Sequence, residues 1–126
     1  MHTHAEMLAF DGLAAALHDA RHRLIFGTEA QMQEAFTEFF AAENIPAVSQ
    51  PRLGATERPD FMVGGIAIEL KVKGTTAAVE RQLRRYAAHP EVTALILVTN
   101  RATHRNVGRE IDGKPVHVVW LSGAAQ

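Results

Sequence analysis

The sequence predicts a mixed α/β domain, and three observations carry that expectation. Gly64-Gly65 stands between two apolar-rich runs as a two-residue hairpin signal, because a type I′ turn needs positive φ at both central positions and glycine takes it without steric cost. Ala94-Leu95-Ile96-Leu97-Val98 is a continuous apolar run, the mark of a strand buried on both faces. Before and between these strands, apolar residues recur at the three-and-four spacing of helices packed on a core.

Taken in order, residues from about Ala5 to His22 read as a helix with Leu8, Leu13 and Leu17 on one side. Thr28 followed by Gln31 forms a capping-box pattern, opening a helix that runs to about Glu43 and stops near Asn44 and Pro46. Its apolar stripe is Met32, Phe36, Phe39 and Phe40. Ala47 to Leu53 reads as a first strand, with Pro51 marking an edge or an irregular stretch. The glycine hairpin supplies the second and third strands. Thr75 or Thr76 caps a helix through about Ala88, ended by Pro90, and the strand at Ala94 follows. A basic connection around Arg101 to Val107 leads to a last strand at Val116 to Leu121, where core packing accounts for Trp120. No internal repeat, low-complexity tract or linker is present, so one compact domain is expected, with residues 1–27 as an N-terminal helical extension on a domain spanning 28–126.

The chemistry of the chain concentrates in the hairpin. With Gly64-Gly65 as the loop, Val63 faces Ile66, Met62 faces Ala67, Phe61 faces Ile68, and Asp60 falls opposite Glu69. Glu69 and Lys71 share that face, whereas Ile66, Ile68, Leu70 and Val72 point the other way into a core. Directly opposed residues have Cβ atoms about 4.5–5.5 Å apart, and like charges there are destabilising. A divalent cation resolves the conflict, since Mg²⁺ takes hard oxygen ligands, often one or two carboxylates. Lys71, one step along the same face, is placed to orient or help deprotonate a water. The same residues also fit an exposed polar sheet face on which Lys71 and Arg58, predicted opposite one another, neutralise the acids.

Composition and charge bound the partners. A chain of 126 residues with 47% hydrophobic content holds a real core but no separate recognition domain. No apolar run reaches the length of a membrane span, and Met1 to Glu6 lacks the basic-then-apolar pattern of a signal peptide, so no membrane is expected and the cytoplasm is the expected compartment. The absence of cysteine excludes disulfides and thiolate metal sites. The net charge is −1, yet it is unevenly spread. Residues 1–45 set Arg21 and Arg23 against seven carboxylates, whereas residues 71–109 set eight Lys and Arg against Glu80 and Glu91. A basic half of this kind suits phosphate-backbone contacts, and it equally suits an ordinary solvated helix face. Seven histidines raise a zinc reading, and His18 and His22 have i, i+4 spacing, but no third ligand is identifiable. His104, in the basic connection, reads as a solvated loop histidine or a DNA contact.

Pro59-Asp60 followed by Glu69-Leu70-Lys71 resembles the signature of the PD-(D/E)XK nuclease superfamily, the restriction-endonuclease-like fold. Gln82-Leu83-Arg84-Arg85-Tyr86 is similar to the QxxxY element of its RecB-like and small stand-alone branches, and the resemblance runs from about Thr28 to Leu121. It implies an αβββαβ core, a central mixed sheet flanked by helices, with an extra N-terminal helix in this chain. It also implies a Mg²⁺- or Mn²⁺-dependent nuclease acting on DNA. Asp60 and Glu69 would be metal ligands, with the backbone carbonyl of Leu70, and Lys71 would serve the attacking water. Gln82 and Tyr86 would support the active site or touch phosphate. Lys73, Arg81, Arg84, Arg85, Arg101 and Arg105 would be nucleic-acid contacts. Small members of this kind often form homodimers, and a structure-selective, Holliday-junction-resolvase-like nuclease falls within the same resemblance. A module that keeps the fold and binds nucleic acid or protein without catalysis is the alternative from another class.

Such nucleases often add an acid on the first core helix. At about 100° per residue, Glu29 lies roughly 20° from Phe36, whereas Glu34 and Glu38 lie far round the helix, so Glu29 faces inward and is the candidate. Acids in a first turn are also favoured by the helix dipole alone. Gln82 and Tyr86, four apart, share one face beside Val79, Leu83 and Ala87. They are placed to bind phosphate or fix Lys71, or else to pack as an edge tyrosine and a surface amide.

Overall fold

The computed structural model describes residues 4–24 and 27–121. Three α-helices, α1 (His4–Asp19), α2 (Glu29–Ala42) and α3 (Thr76–Ala87), pack on six strands: β1 (Ala47–Ser49), β2 (Phe61–Val63), β3 (Ile66–Lys71), β4 (Ala94–Thr99), β5 (Glu110–Ile111) and β6 (Lys114–Trp120). The strands form one mixed sheet in the order β1-β2-β3-β4-β6-β5. β1, β2 and β3 are antiparallel neighbours, and β3, β4 and β6 run parallel. Parallel neighbours need a crossover. α3 supplies it between β3 and β4, and a short 3₁₀ helix, Ala102–Asn106, lies between β4 and the β5–β6 hairpin.

The local chemistry explains the helix starts. Thr28 Oγ1 accepts from the Gln31 amide at 3.1 Å while Gln31 Oε1 accepts from the Thr28 amide at 3.2 Å, a complete capping box. Thr75 does half of this for α3, accepting from the Ala78 amide at 3.1 Å.

Both faces of the sheet are covered, as the wholly buried strand β4 requires. Phe10, Leu13 and Leu17 of α1 and the Met32, Phe36, Phe39 and Phe40 stripe of α2 meet Ile66, Ile68, Leu70, Ile96 and Val98 on one face. On the other, Val79, Leu83 and Tyr86 of α3 meet Ala67, Leu95, Leu97 and Val116. The α1 segment therefore belongs to the same core as the rest of the chain.

Several sequence expectations change in detail. The first strand ends at Ser49, not Leu53; Leu53 instead turns its buried side chain into the α3-side core and pairs with Glu57. The helix of α1 stops at Asp19, short of His22. The β2–β3 hairpin has the expected register, Val63 to Ile66 through Phe61 to Ile68, but not the expected turn. Gly64 has φ +57°, whereas Gly65 lies outside the left-handed region, the pattern of a type II′ rather than a type I′ turn. Gly65 is required for another reason: a Cβ there would stand 2.6 Å from Thr93 Oγ1. The true pair of positive-φ residues is Asp112 (φ 53°) and Gly113 (φ 77°), turning between β5 and β6, a hairpin not foreseen.

Candidate active site

β3 carries the site because its two faces differ. Ala67 and Glu69 are both buried beneath α3, and Lys71 emerges half-buried at the strand's C-terminal end. The sheet face is thus not the exposed polar surface that the sequence also allowed. Glu69 is only 5% exposed, so its carboxylate has to find partners inside the protein.

It finds three groups. Tyr86 Oη donates to Glu69 Oε1 at 2.9 Å. Lys71 Nζ stands 3.2 Å from Glu69 Oε2. The third is Asp60, which does not stand in the ladder. β2 begins at Phe61, so Asp60 is the last residue of the preceding segment and not a strand partner of Glu69. Its side chain takes over the ladder's role instead, with Oδ2 accepting from the Leu70 amide at 2.8 Å. That bond fixes the aspartate beside the glutamate, close enough for each carboxyl to shift the other's pKa.

Electrostatics reflect the crowding. Burial, followed by the charge of Asp60, pushes the Glu69 carboxyl up to about 7, against the opposing pull of Lys71 and the hydrogen bonds from Tyr86 and Lys71. Burial also raises Asp60, opposed by the Leu70 amide bond, and Glu29 adds to the rise. Tyr86 is raised by burial and by Glu69, which keeps its hydroxyl protonated as a donor. Two neighbouring carboxyls that resist ionising together are a site prepared for a cation or a proton.

Gln82 joins the cluster through Tyr86, its Nε2 donating to Tyr86 Oη at 2.9 Å. The one hydroxyl proton goes to Glu69, so the phenol links amide and carboxylate in a chain. Tyr86 is buried, whereas Gln82 is half-buried at the rim. Glu29 is half-buried rather than fully inward, because it stands in the first turn of α2 beyond the apolar stripe; it remains close enough to Asp60 for its charge to be felt. Arg58 does not face Lys71: its guanidinium turns back to the Gln50 carbonyl at 3.3 and 3.2 Å.

The six basic residues do not form one patch. Lys73 and Arg101 are exposed where β3 and β4 end, next to the register pair Lys71 and Thr99. Arg81, Arg84 and Arg85 line a cleft on α3 with Ala88 and Asp112, and Arg85 Nε lies 4.0 Å from Glu57 Oε2. Arg105 is committed elsewhere, with its guanidinium 4.1 Å from the ring centre of Trp120. Trp120 is accordingly only partly buried, beneath an arginine, rather than a pure core residue.

Sequence reasoning missed two supports. Gln33 of α2 donates to Ser49 Oγ at 3.1 Å and to the Asp60 carbonyl at 3.3 Å, tying helix to strand beside the aspartate. His104 is fully buried, contrary to a solvated loop role or a DNA contact. Thr99 Oγ1 accepts from the Arg101 amide at 3.0 Å and donates to His104 Nδ1 at 2.7 Å, and His104 Nε2 donates to the Gly74 carbonyl at 2.7 Å, joining the loops that follow β4 and β3. Neither support has a periodic signature, because each pairs residues remote in sequence.

A cavity of about 530 Å³ beside Arg23, Leu24, Gln31 and Phe39 contains none of the acidic cluster. Among the described residues, no group of three or more Asp, Glu or His is arranged as a metal cage, and no helix is long and apolar enough to cross a membrane. Comparison with family models, curated proteins and solved structures gives no match.

Proposed function

We propose that this protein is a divalent-metal-dependent nuclease that hydrolyses phosphodiester bonds in DNA, built on the restriction-endonuclease-like architecture. The observation that carries this reading is the buried Asp60–Glu69 pair, held by the Leu70 amide and Tyr86, with Lys71 at its open edge. The order α2-β1-β2-β3-α3-β4, antiparallel as far as β3 and parallel from there, supports the architecture.

The donor set suits Mg²⁺ or Mn²⁺. One or two carboxylates are the usual protein contribution to a Mg²⁺ site, with waters and substrate phosphate completing it, so Asp60 and Glu69 suffice without a third acid directly on the ion. Asp60 and Glu69 would hold the ion. The Leu70 amide points toward Asp60, and a strand residue's N–H and C=O leave on the same side, so its carbonyl is directed along the same edge. Bound there, the ion supplies positive charge to a phosphate oxygen and lowers the pKa of a water.

The chain's own groups do the rest. Lys71 is tethered to Glu69 at the strand's C-terminal end, half-buried with its side chain 19% exposed, so its ammonium would stand beside an attacking water and a phosphate oxygen at the open edge of the pair. Tyr86 and Gln82 keep Glu69 aimed by a fixed chain of hydrogen bonds. Water adds to phosphorus and gives up a proton, one P–O ester bond breaks, and the departing alkoxide oxygen takes up a proton to leave as a hydroxyl. Lys73 and Arg101, at the neighbouring strand ends, are the basic residues best placed for backbone phosphates near this centre, with Arg81, Arg84 and Arg85 serving a more distant stretch.

Cleavage of plasmid and oligonucleotide DNA with Mg²⁺, Mn²⁺ or EDTA tests the proposal. Metal-dependent cutting is expected, lost in Asp60→Asn and reduced by about 10²–10⁴-fold in Lys71→Ala. Undiminished cutting by either variant would reject the assignment.

A further inference from the structure

The segment between β1 and β2, residues 50–60, ends in Asp60, yet its only regular pairing is Leu53 with Glu57. An irregular stretch of this length would leave its last residue poorly placed unless something fixed it. The Asp60 carbonyl accepts from the Gln50 amide at 2.9 Å and from Gln33 Nε2 at 3.3 Å, and the contacts of the segment's middle converge on the C-terminal half of α3 and the turn that follows it. Leu53 is buried in the cluster that contains Tyr86 and Val92. Tyr86 Oη lies 3.4 Å from the Arg58 carbonyl. His89 Nε2 lies 3.1 Å from Glu57 Oε1, while Thr56 Oγ1 donates to Glu57 Oε2 at 2.6 Å.

Gly54 shows how closely the two parts are fitted. It has φ +64°, and a Cβ built on it would stand 2.8 Å from His89 Cε1, so the imidazole lies directly against the segment's backbone. His89 is itself held from behind. Lys114 Nζ donates to the carbonyls of Ala87 at 2.7 Å and His89 at 3.0 Å, joining the end of α3 to the start of β6. The bare glycine, the glutamate and the histidine thus form one fitted contact three residues from Asp60, and the mechanism above leaves it unused.

We propose that His89 is a positioning residue: seated on Gly54 and bonded to Glu57, it latches the 50–60 segment to α3 and thereby sets where Asp60 stands against Glu69. This rests on the reading of Asp60 and Glu69 as the metal-holding pair, and the latch can be judged separately from it. The reporter is the Leu70 amide, which donates to Asp60 Oδ2 and so senses the aspartate's position with no metal present.

Amide NMR spectra and hydrogen exchange of the metal-free chain are compared for wild type, His89→Ala, His89→Gln and Gly54→Ala, followed by Mg²⁺ titration. In His89→Ala and Gly54→Ala the Leu70 amide resonance shifts and exchanges faster while the Ile96 and Val98 amides of β4 hold, and Mg²⁺ binds about tenfold or more weakly. His89→Gln, which keeps a donor for Glu57, restores both readings. A Leu70 amide and a Mg²⁺ affinity unchanged in His89→Ala would overturn the latch, as would a loss spread equally over β4 amides and not rescued by glutamine. If His89→Ala does not fold, Gly54→Ala and Glu57→Gln give the same comparison. Mg²⁺ binding that survives Asp60→Asn would sink the metal-site reading instead, and the Leu70 amide in the metal-free variants would still decide the latch.

Discussion

The two faces of β3 are made of alternating residues of one strand and do opposite things. Ile66, Ile68 and Leu70 pack into an apolar cluster with side chains of α1, α2 and the neighbouring strands. Ala67, Glu69 and Lys71 begin in an equally dry core under α3 and end at a charged rim. Burial on the first face is favourable without condition, since apolar area leaves water whatever the pH. On the second, a carboxylate has been taken out of water and is tolerated through Tyr86, Lys71 and a proton. One face holds the strand in place; the other uses that rigidity to keep two acids close together.

The largest expected stability effect lies on the apolar face. Ile68→Ala removes a fully buried side chain and leaves a cavity, so denaturant unfolding should show a loss of about 2–5 kcal/mol, the same at pH 5 and pH 8. A strongly pH-dependent loss would mean that the two faces are not separable.

The polar face should show the pH dependence instead. Glu69 rises from 4.5 to about 7 on folding, so its contribution to stability is fully present below about pH 4.5 and is lost as pH climbs through 7. Asp60 shifts in the same direction. Metal-free wild type should lose on the order of 3 kcal/mol relative to Glu69→Gln across that window. Parallel stability profiles for the two proteins would contradict a buried, reluctant acid. Tyr86→Phe sharpens the contrast with a smaller effect. It removes a donor from an ionised buried carboxylate, so about 1–3 kcal/mol should disappear at pH 8 and less at pH 5, where Glu69 is protonated.

How much of this could be read in the sequence followed from the range of each interaction. The hairpin register needed only Gly64-Gly65 and the two-residue alternation, which placed Glu69 and Lys71 on one face and brought Asp60 to their end of the strand. The capping box at Thr28 and the buried strand at Ala94 were local signals of the same kind. The turn type was misread because Gly65 serves close packing against Thr93, not backbone handedness. The β5–β6 hairpin was missed although Asp112-Gly113 announced it, since a strand of two residues leaves too short a pattern. Arg58 failed as a partner for Lys71 because a nearby carbonyl, that of Gln50, satisfies its guanidinium first. Gln33, His89 and His104 act on residues 27, 32 and 30 positions away, and no spacing rule reaches that far.

Calorimetric titration of Mg²⁺ and Mn²⁺ into the metal-free chain at pH 6.5 and pH 8.5 tests the shared acid pair most directly. Binding should release a proton at pH 6.5, where Glu69 is largely protonated, tighten at pH 8.5 as that competition fades, and vanish in Asp60→Asn and Glu69→Gln. No binding at either pH, or binding that releases no proton and survives both substitutions, would contradict it.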